Sequence, residues 1–296
     1  MSVSGLYTVF GGTGYLGRRI VLRLLAQGHR VRIAARRPVR HGDLYQSDRA
    51  EPVVADIADP DTLPAAVAGA DGVVNATSLY LETATQSFRS FHGDSAGQLA
   101  RLAEARGIGR LVQLSGIGAD ARSTDPYIAA RGFGEQAVRE ACPGAVIVRP
   151  SVMVGHSDGF LGAIRTLVRS PVVPLFGRGE TRLQPVHVDD VAAAIAEMLR
   201  VPEPARLYQC GGPTVWTYRE IVLAVAEAAG RRIWPVPVPF SVWRLLAAVT
   251  ERLPGAPLTR TQIALAEADN VASDTAAGLP ELGITPKGLR EALRRD

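Results

Sequence analysis

Three glycines spaced Gly11-x-x-Gly14-x-x-Gly17 fall in the run Val9-Phe10-Gly11-Gly12-Thr13-Gly14-Tyr15-Leu16-Gly17. The spacing suits the holding of a diphosphate by main-chain NH groups. Gly11 allows a tight turn, Gly14 lets a pyrophosphate approach with no side chain in the way, and Gly17 lets the following helix pack closely. The start of that helix offers unpaired amides to an anion. The segment Gly11 to Gly17 is therefore the candidate dinucleotide site. About 20 residues further on, where an acidic residue would accept from an adenosine ribose, the chain has Arg36-Arg37. Guanidinium groups bind phosphate through paired donors. The expectation is NADP(H) in preference to NAD(H); the competing reading is two solvated surface charges. Asp56 is placed to accept from an adenine amino group or, equally, to cap the next turn. Asn75-Ala76-Thr77 closes a strand where backbone would pass along the cofactor.

An alternation of short apolar runs with amphipathic stretches positions these residues. Strand-like Leu6–Phe10 leads to a helix from Tyr15 to Gln27, then to Val31–Ala35 and Pro52–Ala55. A helical segment, Asp61–Ala68, precedes Gly72–Ala76. A long helix near Asp94–Arg106 precedes Arg110–Leu114, and another near Tyr127–Glu140 precedes Ala145–Val148. This pattern predicts an α/β fold, a doubly wound parallel sheet with helices on both faces. Past Pro150 the pattern predicts a smaller, loop-rich C-terminal lobe. There, a mostly apolar helix is expected over Phe160–Val173, with Arg165 and Arg169 one turn apart. A strand Val186–Val188 and a helix capped by Asp189-Asp190 and running to Arg200 follow. Then come Tyr208–Cys210, a helix around Tyr218–Ala229, the proline-rich Pro235–Pro239 and an amphipathic Phe240–Arg252. The expected division is a dinucleotide-binding domain over 1–150, with 186–200 returning to it, and a lobe from 151–185 and 201–296.

Composition narrows the class. Of 296 residues, 47% are hydrophobic and 21% charged, enough for a large core. Two cysteines, Cys142 and Cys210, are too few for a disulfide framework and point to a reduced, cytoplasmic setting. No secretory leader is expected, nor any run of about 18 apolar residues to span a membrane. The basic residues are almost all arginine, with Lys287 the single lysine, and they are scattered, so no nucleic-acid surface is expected. No His/Cys/carboxylate group has metal-ligand spacing, so no metal is expected. Trp216, Trp234 and Trp243 are expected to lie mostly in the core. Phe240, Trp243, Leu246 and Leu253 fit a helix that packs on a partner or a membrane surface, and fit ordinary packing better.

Several segments together resemble the atypical and extended short-chain dehydrogenase/reductases. They are the glycine turn, Asp56, Leu114-Ser115, the Tyr127 segment, Val148-Arg149-Pro150-Ser151 and Gln184-Pro185-Val186-His187-Val188-Asp189-Asp190-Val191. The finer details are most similar to the nucleotide-binding accessory subunit of respiratory complex I and its bacterial relatives. Those details are Ser115-Gly-Ile-Gly-Ala-Asp120, Gly134-Glu135 with Val138-Arg139-Glu140, Pro174-Leu-Phe-Gly177, Leu258-Thr-Arg260 and Asp269-Asn270-Val271. The resemblance implies a Rossmann domain holding NADP(H), a smaller second lobe, and a location that is cytoplasmic or peripheral to the inner membrane, with a respiratory complex or membrane surface as partner.

The resemblance also implies a catalytic set. Enzymes of this superfamily pair a tyrosine with a lysine one helical turn on, plus a serine or threonine. The lysine cation lowers the tyrosine pKa and holds the nicotinamide ribose. Here Tyr127 is present but its partner is Arg131, which keeps the charge and cannot lend a proton. Ser115 lies near the hydroxyl position, though in many active members the hydroxyl falls at the places of Gly116 or Ile117. Arg131 has a second reading, a surface helix pair with Glu135. Gly132 and Gly134, each costing about 1 kcal/mol in a helix, suggest close approach of another group, the cofactor or the second lobe. His187 belongs to a segment that is mainly structural in the superfamily, and His156 reads as a solvated loop residue. Two functions follow. The first is an NADP(H)-binding module without catalysis. The second is an active NAD(P)H-dependent reductase or epimerase/dehydratase on a small carbonyl or nucleotide-linked substrate. A variant of the second uses NAD(H) on a sugar nucleotide.

Overall fold

The computed structural model describes residues 4–38, 42–156, 158–250 and 259–294. Along the chain, β1 (Leu6–Phe10) leads through the glycine turn to α1 (Tyr15–Ala26), β2 (Arg30–Ala35), β3 (Ala50–Val54), α2 (Leu63–Val67) and β4 (Gly72–Asn75). A π-helical turn, Arg89–Asp94, opens into α3 (Ser95–Ala105), followed by β5 (Arg110–Leu114), α4 (Pro126–Ala141) and β6 (Val146–Pro150). Then come β7 (Met153–Val154), α5 (Gly159–Leu167), β8 (Val172–Phe176), β9 (Arg182–Leu183), β10 (Val186–His187) and α6 (Val188–Arg200). The remainder is β11 (Leu207–Cys210), β12 (Trp216–Thr217), α7 (Tyr218–Ala228), β13 (Trp234–Val238), α8 (Phe240–Thr250), α9 (Arg260–Glu267) and α10 (Leu289–Leu293).

Two compact units result. The first comprises residues 1–150, 188–210 and 274–285; the second comprises 151–187, 211–273 and 286–296. The first holds a seven-stranded sheet in the order β11-β6-β5-β4-β1-β2-β3, every pairing parallel. The order reverses beside β1, so β1 and β4 end where a doubly wound sheet binds its ligand. Strands buried on both faces read as near-continuous apolar runs, as Val73, Val74, Leu111 and Val112 do, each almost fully buried. On one face Phe10, Leu63, Leu99, Ala103 and Val138 form a core with Ile147. Leu207–Cys210 extends this sheet beside β6, so the chain returns to the first unit through residue 210 rather than 200.

The second unit has its own core, in which Leu161, Ile164, Val173 and Leu175 pack on Ile221, Val222 and Leu289. Several expectations are corrected there. The segment 160–173 is two elements: α5 ends at Leu167, and Val172–Val173 open the strand β8, which pairs with β13. Pro171 excludes helix from Ser170, and an apolar run alone does not distinguish helix from strand. Arg169 lies past the helix end, so it and Arg165 share no helical face. Pro235–Pro239 is mostly strand: Trp234 and Val238 donate the backbone bonds, and the intervening prolines fall where no donor is needed. Val188 starts α6 rather than ending a strand, and Asp189 and Asp190 lie in the first helical turn. Trp234 is 77% exposed rather than core. Of the expected Phe240–Arg252 helix, residues 240–250 are α8; Leu253 and Leu258, with the rest of 251–258, lie outside the described residues.

Candidate functional site

The glycine turn is built for close approach. Gly11 has φ +73°, and a Cβ there would lie 3.1 Å from Ala76 O, so the β1 turn touches the end of β4. Gly17 is tighter still: a Cβ would fall 2.0 Å from Gly11 O, so α1 starts against the turn itself. At Gly14 a Cβ would meet Gly11 O at 3.1 Å. Gly14 is the N-cap of α1, no side chain caps that helix, and its first turn has no acidic residue. The uncapped helix start, with its positive end and no side chain at Gly14, is suited to an anion. Gly12 and Thr13 complete this turn, and Tyr15 and Leu16 open α1. Arg36 and Arg37 follow β2, exposed and without an ion pair among the described residues. Asp56 Oδ1 accepts from Ala58 N at 3.0 Å, so this side chain holds its own turn. Asn75 is 2% exposed; its amide donates to Gln113 Oε1 at 2.9 Å and its carbonyl accepts from Thr77 Oγ1 at 2.6 Å, fixing the Asn75-Ala76-Thr77 backbone.

A second cluster surrounds α4. Asp125 caps this helix, accepting from the NH groups of Tyr127 and Ile128 at 3.0 Å, with Pro126 in the first turn. The cap places Tyr127 on the inner face, 4% exposed. Its ring is stacked by Tyr80 at 5.9 Å and met edge-on by Phe88 at 5.3 Å and His92 at 5.5 Å. The Arg131 guanidinium lies over it at 4.8 Å. Burial raises the phenol pKa; the Arg131 charge and hydrogen bonds from Arg131 and Ser78 pull it down without prevailing. Tyr127 is therefore a neutral phenol at physiological pH. His92 is likewise neutral: burial, then Arg131, lower its pKa to about 3, and its Nε2 meets the Leu79 main chain, 2.9 Å from O and 3.3 Å from N.

Arg131 is itself buried, 7% exposed. Its Nη2 donates to Ser78 Oγ at 2.9 Å, while Nε and Nη1 make no hydrogen bond to the protein. The surface pair with Glu135 does not form. Glu135 is drawn inward instead and accepts from Arg149 Nε and Nη2, both at 2.7 Å, with Arg139 at 3.4 Å. Ser115 Oγ donates to the same carboxylate at 2.6 Å. Beneath these groups lies a cavity of about 10 Å³, lined by Gln113, Ser115, Arg131 and Glu135 among others. The glycines of α4 serve the first unit's own packing rather than a cofactor or second lobe. A Cβ at Gly132 would fall 2.1 Å from Ala121 N, and one at Gly134 2.0 Å from His92 O. Gly134 thereby lets the π-helical turn press on α4 and brings His92 to Tyr127.

The structure thus brings Tyr127, Arg131 and Ser78 together and turns Ser115 to Glu135. Ser78, Tyr80, His92 and Arg149 carry no role in the sequence reading. Ser78 lies one residue beyond Asn75-Ala76-Thr77, a position that strand-end logic could have reached. The Glu135–Arg149 pair spans two elements and leaves no local signal. Residues 11–202 match the NAD(P)H-binding family model. The chain belongs to the NAD(P)H-binding family. This member is 35% identical to NADH dehydrogenase [ubiquinone] 1 alpha subcomplex subunit 9, mitochondrial, of Arabidopsis thaliana, over 98% of this chain and 76% of the relative. It is 33% identical to ceramide reductase of Caulobacter vibrioides over 67% of this chain and 62% of that protein. Its fold is that of a Thermus thermophilus UDP-glucose 4-epimerase complex with NAD, with TM-score 0.73 and 21% identity, covering 98% and 96% of the two chains. The protein is a nucleotide-binding module of the short-chain dehydrogenase/reductase type, related to the complex I subunit. Among the described residues no group of His, Cys, Asp or Glu is arranged to hold a metal, and no helix is long and apolar enough to cross a membrane.

Proposed function

We propose that this NAD(P)H-binding protein holds NADP(H) and does not turn it over. The residues present suit the dinucleotide: a helix start at Gly14 with no side-chain cap, exposed Arg36 and Arg37 where a ribose phosphate would lie, and two donor nitrogens of buried Arg131 with no protein partner. When bound, the nicotinamide supplies a hydride donor or acceptor. Gly11 to Gly17 would hold the diphosphate, Asn75-Ala76-Thr77 would border the nucleotide, and Arg131 would donate to a ribose hydroxyl near Tyr127.

The observation that carries the binding-only reading is the hydrogen bond from Ser115 Oγ to Glu135, 2.6 Å long and buried. A hydroxyl committed to a carboxylate that also pairs with Arg149 has no free donor for a substrate carbonyl. Tyr127, raised by burial and walled by aromatic rings, is a weak proton exchanger at neutral pH. The free, buried thiols Cys142 and Cys210 agree with a reduced, cytoplasmic setting. The test is twofold: mass spectrometry of the nucleotide that co-purifies, and NADPH consumption against a panel of carbonyl compounds. The proposal expects NADP(H) and no consumption. A second reading, an active reductase, is supported by the similarity to ceramide reductase and by the contact of Arg131 with Ser78. Turnover that disappears in Tyr127→Phe would establish it and displace the first.

A further inference from the structure

The second unit carries an uncovered apolar surface with a basic margin. Trp234 pairs in register with Val172, and Val236 with Pro174. Alternation puts Val172, Pro174 and Phe176 on one face of the β8–β13 pair, with Trp234 and Val236 on the same face. Val172, Trp234 and Val236 are exposed there. Phe176 continues that face and meets the Trp243 ring of α8 at 4.8 Å, so α8 adjoins it. On α8 the inward residue is Ala247, and Trp243 Nε1 donates to Leu175 O. The outward stripe is Val242, Leu245, Leu246 and Val249, at i, i+3, i+4 and i+7, all exposed, Leu245 by 68%. An apolar stripe with that period is normally buried, and a contiguous exposed patch marks an interaction surface.

The charge around it is mostly positive. Arg169 and Arg231–Arg232 lie at the starts of β8 and β13, beside Val172 and Trp234. Arg231 Nη1 donates to Arg169 O at 3.2 Å, and all three side chains are exposed with no ion pair among the described residues. From residue 228 to 250 the chain has no Asp or Glu. The second unit as a whole has 14 Arg and Lys against 9 Asp and Glu, net +5; the first has 19 against 20, net −1. The chain's positive balance therefore resides in the unit with the apolar surface.

We propose that α8 and the Trp234 face of the second unit dock in the plane of an anionic lipid bilayer, the aliphatic stripe entering the acyl boundary and the arginines meeting lipid phosphates. An apolar helix face binds such interfaces, and basic residues beside exposed apolar ones, as Arg169, Arg231 and Arg232 are beside Val172 and Trp234, add attraction to anionic lipid; an exposed tryptophan has the amphipathic ring suited to the headgroup level. A protein partner would call for directional polar groups within the patch. The stripe offers none, since Arg244 is paired to Glu267 of α9.

The test is co-sedimentation of the whole chain with phosphatidylcholine vesicles with and without phosphatidylglycerol, at low and high salt. The expected result is binding to the phosphatidylglycerol vesicles only, weakened by salt, with a blue shift of tryptophan emission that Trp234→Phe largely removes. Leu245→Glu with Val249→Glu, and separately Arg169→Gln with Arg231→Gln and Arg232→Gln, should each lower binding about tenfold or more. Since these side chains are exposed, the variants should melt like the parent. No binding to either vesicle, equal binding to both, or binding insensitive to both sets of substitutions overturns the proposal. So does retention by native membranes carrying their proteins when protein-free vesicles fail, which makes the occupant a protein. Self-association abolished by Leu245→Glu, without vesicle binding, makes it a second copy.

Discussion

The glycine turn after β1 and the Tyr127 cluster on α4 belong to the same unit, yet they are built in opposite ways. At the turn no side chain caps α1, and Gly14 at its N-cap carries no side chain. Around Tyr127 nearly every polar group is committed inside the protein: Ser115 and Arg149 to Glu135, His92 to Leu79, Asn75 to Gln113. Arg131 is the exception, with two nitrogens lacking a protein partner. A turn shaped for an anion and a reaction centre with its polar groups paired, with the Arg131 cation between them, are what the proposed binding-only function rests on.

Each half can be broken separately. Glu135→Ala leaves the Arg149 guanidinium without its carboxylate, which costs about 3 kcal/mol or more; thermal denaturation should show the loss, and a melting curve like the parent's would mean that the buried pair is not structural. Gly17→Ala drives a methyl into Gly11 O and should destabilise by about 1–3 kcal/mol while abolishing nucleotide binding. Gly14→Ala, whose methyl meets Gly11 O at 3.1 Å, should cost less stability than Gly17→Ala and bind nucleotide weakly. If the two alanine variants behave alike, the turn serves packing rather than an anion.

A pH titration sharpens the closed half. The His92 pKa is about 3 in the folded chain, below the ordinary 6.5. Between those values the unfolded state binds the extra proton, so stability falls as pH drops below about 6.5, by up to about 1.4 kcal/mol per pH unit, and levels off near pH 3. His92→Gln should flatten that slope; an unchanged slope removes His92 from the cluster. The smallest effect concerns cofactor choice. Arg36→Ala with Arg37→Ala should weaken NADPH about tenfold and leave NADH unchanged, and equal losses for both would remove the discrimination from these arginines.

The sheet was legible because parallel strands buried on both faces must be apolar throughout, and β1 and β5 coincide with their sequence reading. The glycine turn was legible for the same local reason: spacing and strand-turn-helix context sit in one short segment. What escaped depends on contacts distant in sequence. Gly132 and Gly134 announce a close approach, but nothing nearby says that residues 120–121 and His92 are what approaches. Arg131 and Glu135 satisfy the helix-pair spacing, and only Arg149 on β6 decides that Glu135 turns inward. Pro235–Pro239 read only as proline-rich; pairing with β8 makes 234–238 a strand, with Pro235 and Pro237 where no NH is needed.

The central claim is that the main-chain amides of the Gly11–Gly17 turn hold a dinucleotide diphosphate. Calorimetric titration of NADPH into the folded chain and into Gly14→Ala tests it most directly. Saturable binding by the parent, markedly weakened in Gly14→Ala that remains folded at the temperature of the titration, is the predicted result. Folded parent protein with no affinity for NADPH or NADH, or with affinity that Gly14→Ala leaves untouched, would contradict it.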